Sequence, residues 1–433
     1  MKEFQKGQRI KTVTGGELEV VEKLGEGGQG VVYKVLYNGE MLALKWYFAN
    51  KLRDPVRFYR NIQNNIKQGA PTDAFLWPLE ITENFEGSFG YLMKLRPSEY
   101  KDFSLFLLAK AKFSSIDAII NAALNITNGF RELHRSGFSY QDLNDGNFFV
   151  NPKTGDVLIC DNDNVAPYGE NLGIAGKCRY MAPEVVVGKK RPDIHTDRFS
   201  LAVVLYLLLF CNHPLEGRAT MCPCLTEENE RKFYGTNPIF VWDPSNDSNR
   251  PVRGVHVNEI RFWPVYPEFV RKTFEQAFSQ KKMIGNDITH RVQEKEWQEV
   301  FTALRDVLVT CPACRNETFM DLNVNSCTCM NCGKPVPKYP VLKVKKYKAV
   351  LAPEKKIYEC HVIHDSDGFK ETKGSVVTAK NDPRLLGLRN ESGNNWSVVL
   401  PNGTSKQYAN GQVIKIERGI KVNFGNGNEA EVL

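Results

Sequence analysis

Two short stretches of this chain hold residues whose types and spacing can do chemistry. Cys311-Pro312-Ala313-Cys314 and Cys329-Met330-Asn331-Cys332 form two C-x2-C pairs fourteen residues apart. Paired thiolates at that spacing can surround Zn²⁺ tetrahedrally, as in a ribbon with a strand hairpin between its knuckles. Four closed sulfur ligands leave no position for a substrate, so the metal would stabilise a segment too small to build its own core. The second stretch, residues 24–32, carries Gly25, Gly27, Gly28 and Gly30 between two strand-like runs. Glycines in a hairpin let backbone N–H groups approach an anionic phosphate with no Cβ in the way, and the absence of a following helix argues against a dinucleotide fold. Lys45, in Ala43-Leu44-Lys45, would set one ammonium near the same phosphates. Taken alone, a glycine-rich hairpin is also an ordinary turn and a strand lysine is ordinarily a surface residue.

The elements that must position these residues read as a succession of textures. Short β-rich runs at 18–23, 30–36, 41–48 and 89–94 surround one helix near 57–67. From about 100 to 305 the periodicity is helical: Ile116, Ile119, Ala123, Phe130 and Leu133 recur at helical spacing, and residues 294–308 close the region with an amphipathic helix. An Asn-, Pro- and aromatic-rich insert at 217–264 reads as an irregular loop on that helical lobe. After the cysteines, Lys334, Lys338, Lys343, Lys345, Lys346, Lys348, Lys355 and Lys356 are opposed only by Glu354, which reads as a solvated connector. The remainder alternates in short segments broken by Asn402-Gly403, Asn410-Gly411 and Gly425-Asn426, an all-β signature.

The order of further motifs carries a resemblance. Tyr140-Gln141-Asp142-Leu143-Asn144-Asp145-Gly146-Asn147 follows the helix ending near His134, and Ile159-Cys160-Asp161-Asn162-Asp163 follows in turn. With the glycine hairpin and Lys45 these resemble the bacterial eukaryotic-like (Hanks-type) serine/threonine protein kinases, over about residues 8 to 305. The resemblance implies an α+β, bilobal kinase fold with an N-lobe over 1–96 and a C-lobe over 97–309; the cysteine spacing and the alternating tail add a zinc ribbon over 310–336 and an all-β sandwich over 337–433. It implies ATP and Mg²⁺ as cofactors, the nucleotide being held by Gly25, Gly27, Gly28, Gly30, Val32 and Lys45. Asp142 matches the aspartate that accepts the substrate hydroxyl proton, and Asn147 and Asp161 match the magnesium ligands. Phosphoryl transfer needs mainly positioning and charge neutralisation, so this set suffices. Glu184, in Met181-Ala182-Pro183-Glu184, Asp197 and Arg291 match structural positions of the same family.

Departures from the family pattern are equally specific. No glutamate occurs between Lys45 and Glu80, although active kinases pair the strand lysine with a helix glutamate; Asn61, Asn64 or Asn65 stands there instead, as a neutral acceptor. Asp161-Asn162-Asp163 replaces Asp-Phe-Gly. Gln141 stands where regulated kinases carry an arginine for a phosphorylated loop, and residues 162–184 contain no serine or threonine. Activation by Ser/Thr phosphorylation of that loop is therefore not expected. Lys177 occupies the position of a loop threonine, and it can restore the positive charge missing at Asn144; its alternative is a solvated loop lysine. Two function classes remain open on these residues: an active kinase, and a pseudokinase scaffold that binds nucleotide and partner proteins without transfer.

The whole chain has 433 residues, 42% hydrophobic and 25% charged with a net charge of +7. That composition excludes wholesale disorder and fibrous classes, and the mild positive excess does not by itself point to nucleic acid or membrane. The eleven cysteines are too few for a disulfide scaffold. No signal-like apolar stretch follows the first residues, and the longest apolar run, 201–211, is too short to span a bilayer, so a cytoplasmic protein with no membrane partner is expected. Lys334 to Lys348 could contact nucleic acid, but the sparse aromatics among them argue against such a partner. Residues 385–390, 396–400, 412–416 and 419–425 resemble the closing strands of a forkhead-associated-type sandwich, without identifiable phosphothreonine-reading residues. The order kinase, zinc ribbon, forkhead-like tail resembles bacterial kinases that accompany von Willebrand A-domain and protein-phosphatase partners in tellurite-resistance-type operons, which implies a signalling role on a protein substrate or on itself.

Overall fold

The computed structural model describes residues 3–52, 54–173, 176–324, 327–425 and 428–433. Asn426, one of the turn residues expected from the sequence, lies outside the described residues. The chain divides into two compact units, one of residues 1–114, Asn121–Phe262 and Thr273–Lys295, the other of Ser115–Ile120, Trp263–Lys272 and Glu296–Leu433.

The first unit begins with an antiparallel sheet of β1 (Arg9–Lys11), β2 (Glu17–Glu26), β3 (Gly30–Tyr37), β4 (Glu40–Tyr47), β5 (Glu80–Ile81) and β6 (Gly90–Lys94), in the order β1-β2-β3-β4-β6-β5. The period of two along β4 decides what faces what. Leu42, Leu44 and Trp46 join Leu18, Val20, Val31 and Val35 in a core on one face, while Ala43 and Tyr47 join Tyr91, Met93, Phe58 and Ile62 on the other. Lys45 shares the second face, and it enters that face as a buried cation.

Helix α1 (Pro55–Gln68) lies between β4 and β5 in sequence. Asp54 caps it by accepting the Arg57 N–H at 3.0 Å, Pro55 opens the first turn, and Gly69 ends it. Its buried stripe is Phe58, Asn61, Ile62 and Asn65, a helical spacing with two amides in it. Among the longer helices, Ile116–Arg135 has buried Ala123, Phe130 and Leu133, and Ile194–Phe210 is buried on nearly all sides after its Asp193 cap. No helix among the described residues is long and apolar enough to cross a membrane. The insert at 217–264 carries short helical pieces, Arg218–Thr220, Glu227–Arg231 continued by a π-helical turn over Lys232–Thr236, and Val257–Phe262, between turns.

The second unit contains two small hairpins and two larger sheets. Leu308–Thr310 pairs with Glu317–Phe319, and Cys327–Thr328 with Pro335–Val336. A six-stranded antiparallel sheet runs in the order Tyr347–Val350, Val341–Val344, Glu429–Val432, Lys421–Asn423, Trp396–Val399, Ser405–Tyr408. A four-stranded one runs Lys356–Tyr358, Thr372–Thr378, Leu386–Asn390, Val413–Lys415. Leu342, Val344, Ile357, Val376, Leu388, Trp396, Val398, Val422 and Phe424 form one core shared by both sheets. Gly374 packs tightly there, since a Cβ would lie 3.0 Å from the Trp396 ring and 3.1 Å from Arg389 O.

The lysine-rich stretch is not a solvated connector. Lys343 and Lys348 are exposed positions of the paired strands Val341–Val344 and Tyr347–Val350, whose alternate residues Leu342, Val344 and Ala349 are buried. Lys355 donates to the carbonyls of Arg305 and Leu308, and burial holds its amine down at about 8. Nearby, Asp306 accepts from His361 Nε2 at 3.0 Å, while His361 Nδ1 accepts the Tyr358 N–H.

Candidate active site

The hairpin joining β2 and β3 is closed by the Gly27 N–H donating to Gly30 O at 2.9 Å. Gly30 serves the sheet: a Cβ there would lie 2.1 Å from Trp46 O. Gly25, Gly27 and Gly28 differ, because a Cβ at any of them would meet nothing within 4 Å and none has a left-handed φ. The fold itself does not require glycine at these three, so the bare backbone there leaves room for something the chain does not supply. Val32 stands directly opposite Lys45 in the β3–β4 register. Val32, Phe149 and Leu158 are half-buried at the edge of the cluster built on Ala43 and Met93, which leaves apolar surface next to the lysine.

Asp142 to Asn147 is a loop held from below by Asp197, near the start of the buried helix Ile194–Phe210. The Asp197 carboxylate accepts the N–H groups of Tyr140 at 2.6 Å and Gln141 at 3.0 Å, and faces His134 Nε2 at 3.2 Å. His134 Nδ1 faces Glu294 at 2.8 Å, and Arg198 also donates to Glu294. Burial opposes a charge on His134, yet hydrogen bonds to Asp197 and Glu294 raise it to about 9, so it is an imidazolium at neutral pH. Gln141 itself sits at φ +73°, a left-handed conformation rare for a non-glycine residue. Its side chain donates to Glu170 O at 2.6 Å and accepts from Asn171 at 2.7 Å.

Asn144 caps the turn Asp145–Asn147 by accepting the Gly146 N–H, and Asn147 Oδ1 accepts the Asn144 N–H at 3.1 Å. Asn147 Nδ2 donates to Asp161 Oδ2 at 3.2 Å, and Asp161 Oδ1 accepts from Lys45 Nζ at 2.8 Å. Lys45, Asp161 and Asn147 are therefore linked in one chain of hydrogen bonds. Asp161 has φ +54° and is 42% exposed in its side chain; the neighbouring Lys45 holds its carboxyl below the usual range. Asp142, half-buried, is pushed up to about 6 by burial and by the Asp161 charge, with Lys177 pulling the other way. Lys177 donates to Asn144 Oδ1 at 2.7 Å and comes within 3.9 Å of Asp145, while remaining 60% exposed.

The asparagines of α1 do not accept from Lys45. Asn61 Nδ2 donates to Val165 O at 2.8 Å, Asn65 Nδ2 to the same carbonyl at 3.0 Å, and Asn64 is exposed. The lysine has a second carboxylate instead, Asp163, whose two oxygens lie 3.0 and 2.9 Å from Nζ. Asp163 is fully buried and also accepts the Tyr47 hydroxyl at 2.5 Å. Sequence reading missed this residue. The signal was there: an acid absent from the helix and one extra acid in the Asp-Asn-Asp motif. Further out, Arg291 makes two 2.8 Å bonds to Glu184 in a buried pair.

The residues suited to a magnesium nucleotide are present: an open glycine edge, a buried ammonium, and an aspartate beside an asparagine. The Asn147 amide presents its nitrogen to Asp161, so its oxygen would have to turn over to meet a cation there.

In the second unit, the four cysteine sulfurs at 311, 314, 329 and 332 converge within 4.8 Å of one another. The Cys311–Cys332 and Cys314–Cys329 separations are 3.9 and 3.7 Å. A tetrahedron with Zn–S of about 2.3 Å has an edge of about 3.8 Å, so the set fits zinc. Each knuckle is the tip of its own hairpin, rather than two knuckles flanking a shared one. Cys327 Sγ points to Phe319 O, outside the set.

Comparison with known proteins agrees with the first unit's geometry. Protein kinase YegI of Escherichia coli K12 is 24% identical over 335 residues, 70% of this chain and 47% of that protein. A probable cyclin-dependent serine/threonine-protein kinase of Dictyostelium discoideum is 25% identical over 267 residues, 59% of this chain and 39% of that one. A probable serine/threonine-protein kinase of Encephalitozoon cuniculi is 31% identical over 195 residues, 43% and 34% of the two chains. The chain spans less than half the length of each of these relatives. The family model described as the protein kinase domain matches residues 18–235, half of the chain, and the chain belongs to the protein kinase family.

Proposed function

We propose that this protein is an ATP- and magnesium-dependent serine/threonine kinase that phosphorylates a protein partner or itself. One observation carries the reading: Lys45, Asp161 and Asn147 are joined by direct hydrogen bonds beside an open glycine edge. Gly25, Gly27 and Gly28 lie over the phosphates, Gly30 holds the hairpin to its sheet, and Val32 covers the base. Lys45 neutralises phosphate charge, and Asn147 and Asp161 hold Mg²⁺, which supplies charge neutralisation at the transferred group. Asp142, at about 6, is ionised at neutral pH and accepts the proton of the attacking hydroxyl. Lys177, bonded to Asn144 in the same loop, faces the charge that develops during transfer.

The loop needs no Ser/Thr phosphate in this reading. Gln141 ties Glu170 and Asn171 to the catalytic loop with neutral hydrogen bonds, where an arginine would await a phosphorylated residue. The cysteine set holds a structural zinc, supported by sulfur separations near the tetrahedral edge. The two sheets sharing one core support a forkhead-associated-like module that docks partners. The domain order extends the reading to bacterial signalling in the cytoplasm with a von Willebrand A-domain protein and a phosphatase.

The test is incubation of the full chain with ATP and magnesium, followed by mass-spectrometric mapping of phosphosites, beside an Asp142→Asn chain. Phosphoserine or phosphothreonine formed only by the unsubstituted chain is the expected result. Thermal stabilisation by nucleotide with no phosphosite in either would replace the enzyme with a pseudokinase scaffold.

A further inference from the structure

We propose that Asp163 is the positioning residue of the nucleotide lysine, so that the carboxylate anchoring Lys45 comes from the metal-binding loop and not from helix α1. The inference rests on the kinase reading above and assigns a role that reading leaves unfilled.

Two carboxylates meet Lys45, and they differ in every respect that matters. Asp161 touches the ammonium with one oxygen while its side chain is 42% exposed, and its other oxygen meets Asn147. Asp163 is fully buried and turns both oxygens to the ammonium, at 3.0 and 2.9 Å. The Tyr47 hydroxyl donates to Asp163 Oδ2 at 2.5 Å, and the Tyr91 hydroxyl lies 3.4 Å from Oδ1. Burial and the Asp163 charge hold the Tyr47 phenol well above its usual range, so it remains a donor. Burial opposes the charge on Lys45, yet Asp163 and Asp161 keep it firmly protonated. A buried carboxylate with this many donors is costly to move. Asp163 is therefore the fixed partner, and Asp161 is the one free to leave the lysine for a cation.

Helix α1 then has a different task. Asn61 and Asn65 donate to the carbonyl of Val165, and more weakly to those of Asp163 and Asn162. They dock the helix on the loop backbone without supplying charge. A swing of the helix, which in a helix-glutamate kinase would withdraw the lysine's counter-ion, would here leave the Lys45–Asp163 pair intact. Control of the lysine passes to residues 161–165.

The experiment uses the full chain with magnesium and ATP, and compares Asp163→Asn, Lys45→Met and the double variant for nucleotide affinity and for kcat and KM separately. Asp163→Asn is expected to weaken magnesium-nucleotide binding and lower kcat/KM about tenfold or more, and to add nothing further in the Lys45→Met background. Unchanged affinity and kinetics, or the same loss in both backgrounds, would overturn the proposal. Should Asp163→Asn not fold, Asp163→Gly combined with Asn61→Glu moves the carboxylate to the helix. At least tenfold more transfer than Asp163→Gly alone supports the role, and equal transfer in the two folded chains refutes it. An unsubstituted chain that binds nucleotide yet transfers no phosphate would end the kinase reading, while the affinity cycle would still decide the role of Asp163.

Discussion

The two candidate metal centres of this chain are built on opposite principles. Asn147 and Asp161 offer hard oxygen, number only two, and sit where Asp161 is 42% exposed. The four cysteines offer soft sulfur, close a whole coordination sphere, and include two buried members, Cys311 and Cys329. An open pair of oxygens suits a cation that arrives and leaves with a nucleotide. A closed tetrahedron of thiolates suits one that never leaves, and that replaces the core which two hairpins of two and three residues per strand cannot form. Ligand number and exposure thus distinguish the two candidate centres before any ion is bound.

The strongest way to break this comparison is to remove each metal in turn. Stripping zinc, or substituting Cys314→Ser with Cys329→Ser, is expected to unfold both knuckles, since structural zinc contributes on the order of 10 kcal/mol. Metal content per chain and proteolysis between residues 308 and 336 read this directly; a metal-free chain with an uncut segment would refute the structural role. Magnesium chelation should leave proteolysis unchanged and stop transfer. Next in size, Asp161→Asn is expected to lower turnover by about 10³-fold, roughly 4 kcal/mol of barrier, with little change in melting temperature. Loss of folding in that variant would mean that the oxygen centre is structural too.

How much of this was legible in the sequence follows the same division. The cysteine set could be read because zinc fixes both ligand type and spacing, and the four sulfurs do converge. Lys45, Asn147 and Asp161 were singled out by residue type and motif order, and the structure brings the three together through hydrogen bonds. Asp163 was not read, because its partner is 118 residues away and the family pattern gives a role only to the first aspartate of the motif, although the second acid stood in plain sight. Asn61 and Asn65 were read as acceptors for an ammonium, but an amide has two ends, and theirs donate to carbonyls. The lysine-rich stretch misled for a different reason. Charge was counted, while the alternation of Leu342 and Val344 with Lys343 was a strand pattern with a buried face.

A third charged cluster sharpens the comparison, because it is closed without any metal. His134 lies between Asp197 and Glu294, with Arg198 on Glu294, so two carboxylates are balanced by two organic cations. The folded value of about 9 for His134 exceeds its ordinary 6.5. Its contribution is therefore full below pH 6.5 and lost as pH rises through 9. The shift corresponds to roughly 3 kcal/mol. The unfolding free-energy gap between the unsubstituted chain and His134→Gln should shrink by about that amount between pH 6 and pH 9.5. A pH-independent gap would show that the imidazole is neutral and the cluster is not closed by charge.

The smallest effect is expected at Lys177, which is 60% exposed and whose charge is screened by water. Lys177 touches Asn144 and pulls Asp142 downward against burial and Asp161, which push it up. Lys177→Ala removes that pull, so the acid limb of the kcat/KM profile should move to higher pH, and turnover at neutral pH should fall by about tenfold. Lys177→Arg keeps the charge and should keep most of the rate. Added salt should weaken the unsubstituted chain toward the alanine variant, whereas it should leave the buried Lys45–Asp163 pair unaffected. If Lys177→Ala matched the unsubstituted chain in both rate and acid limb, the lysine would be a solvated loop residue, and Lys45 would be left as the fixed cation of the candidate site.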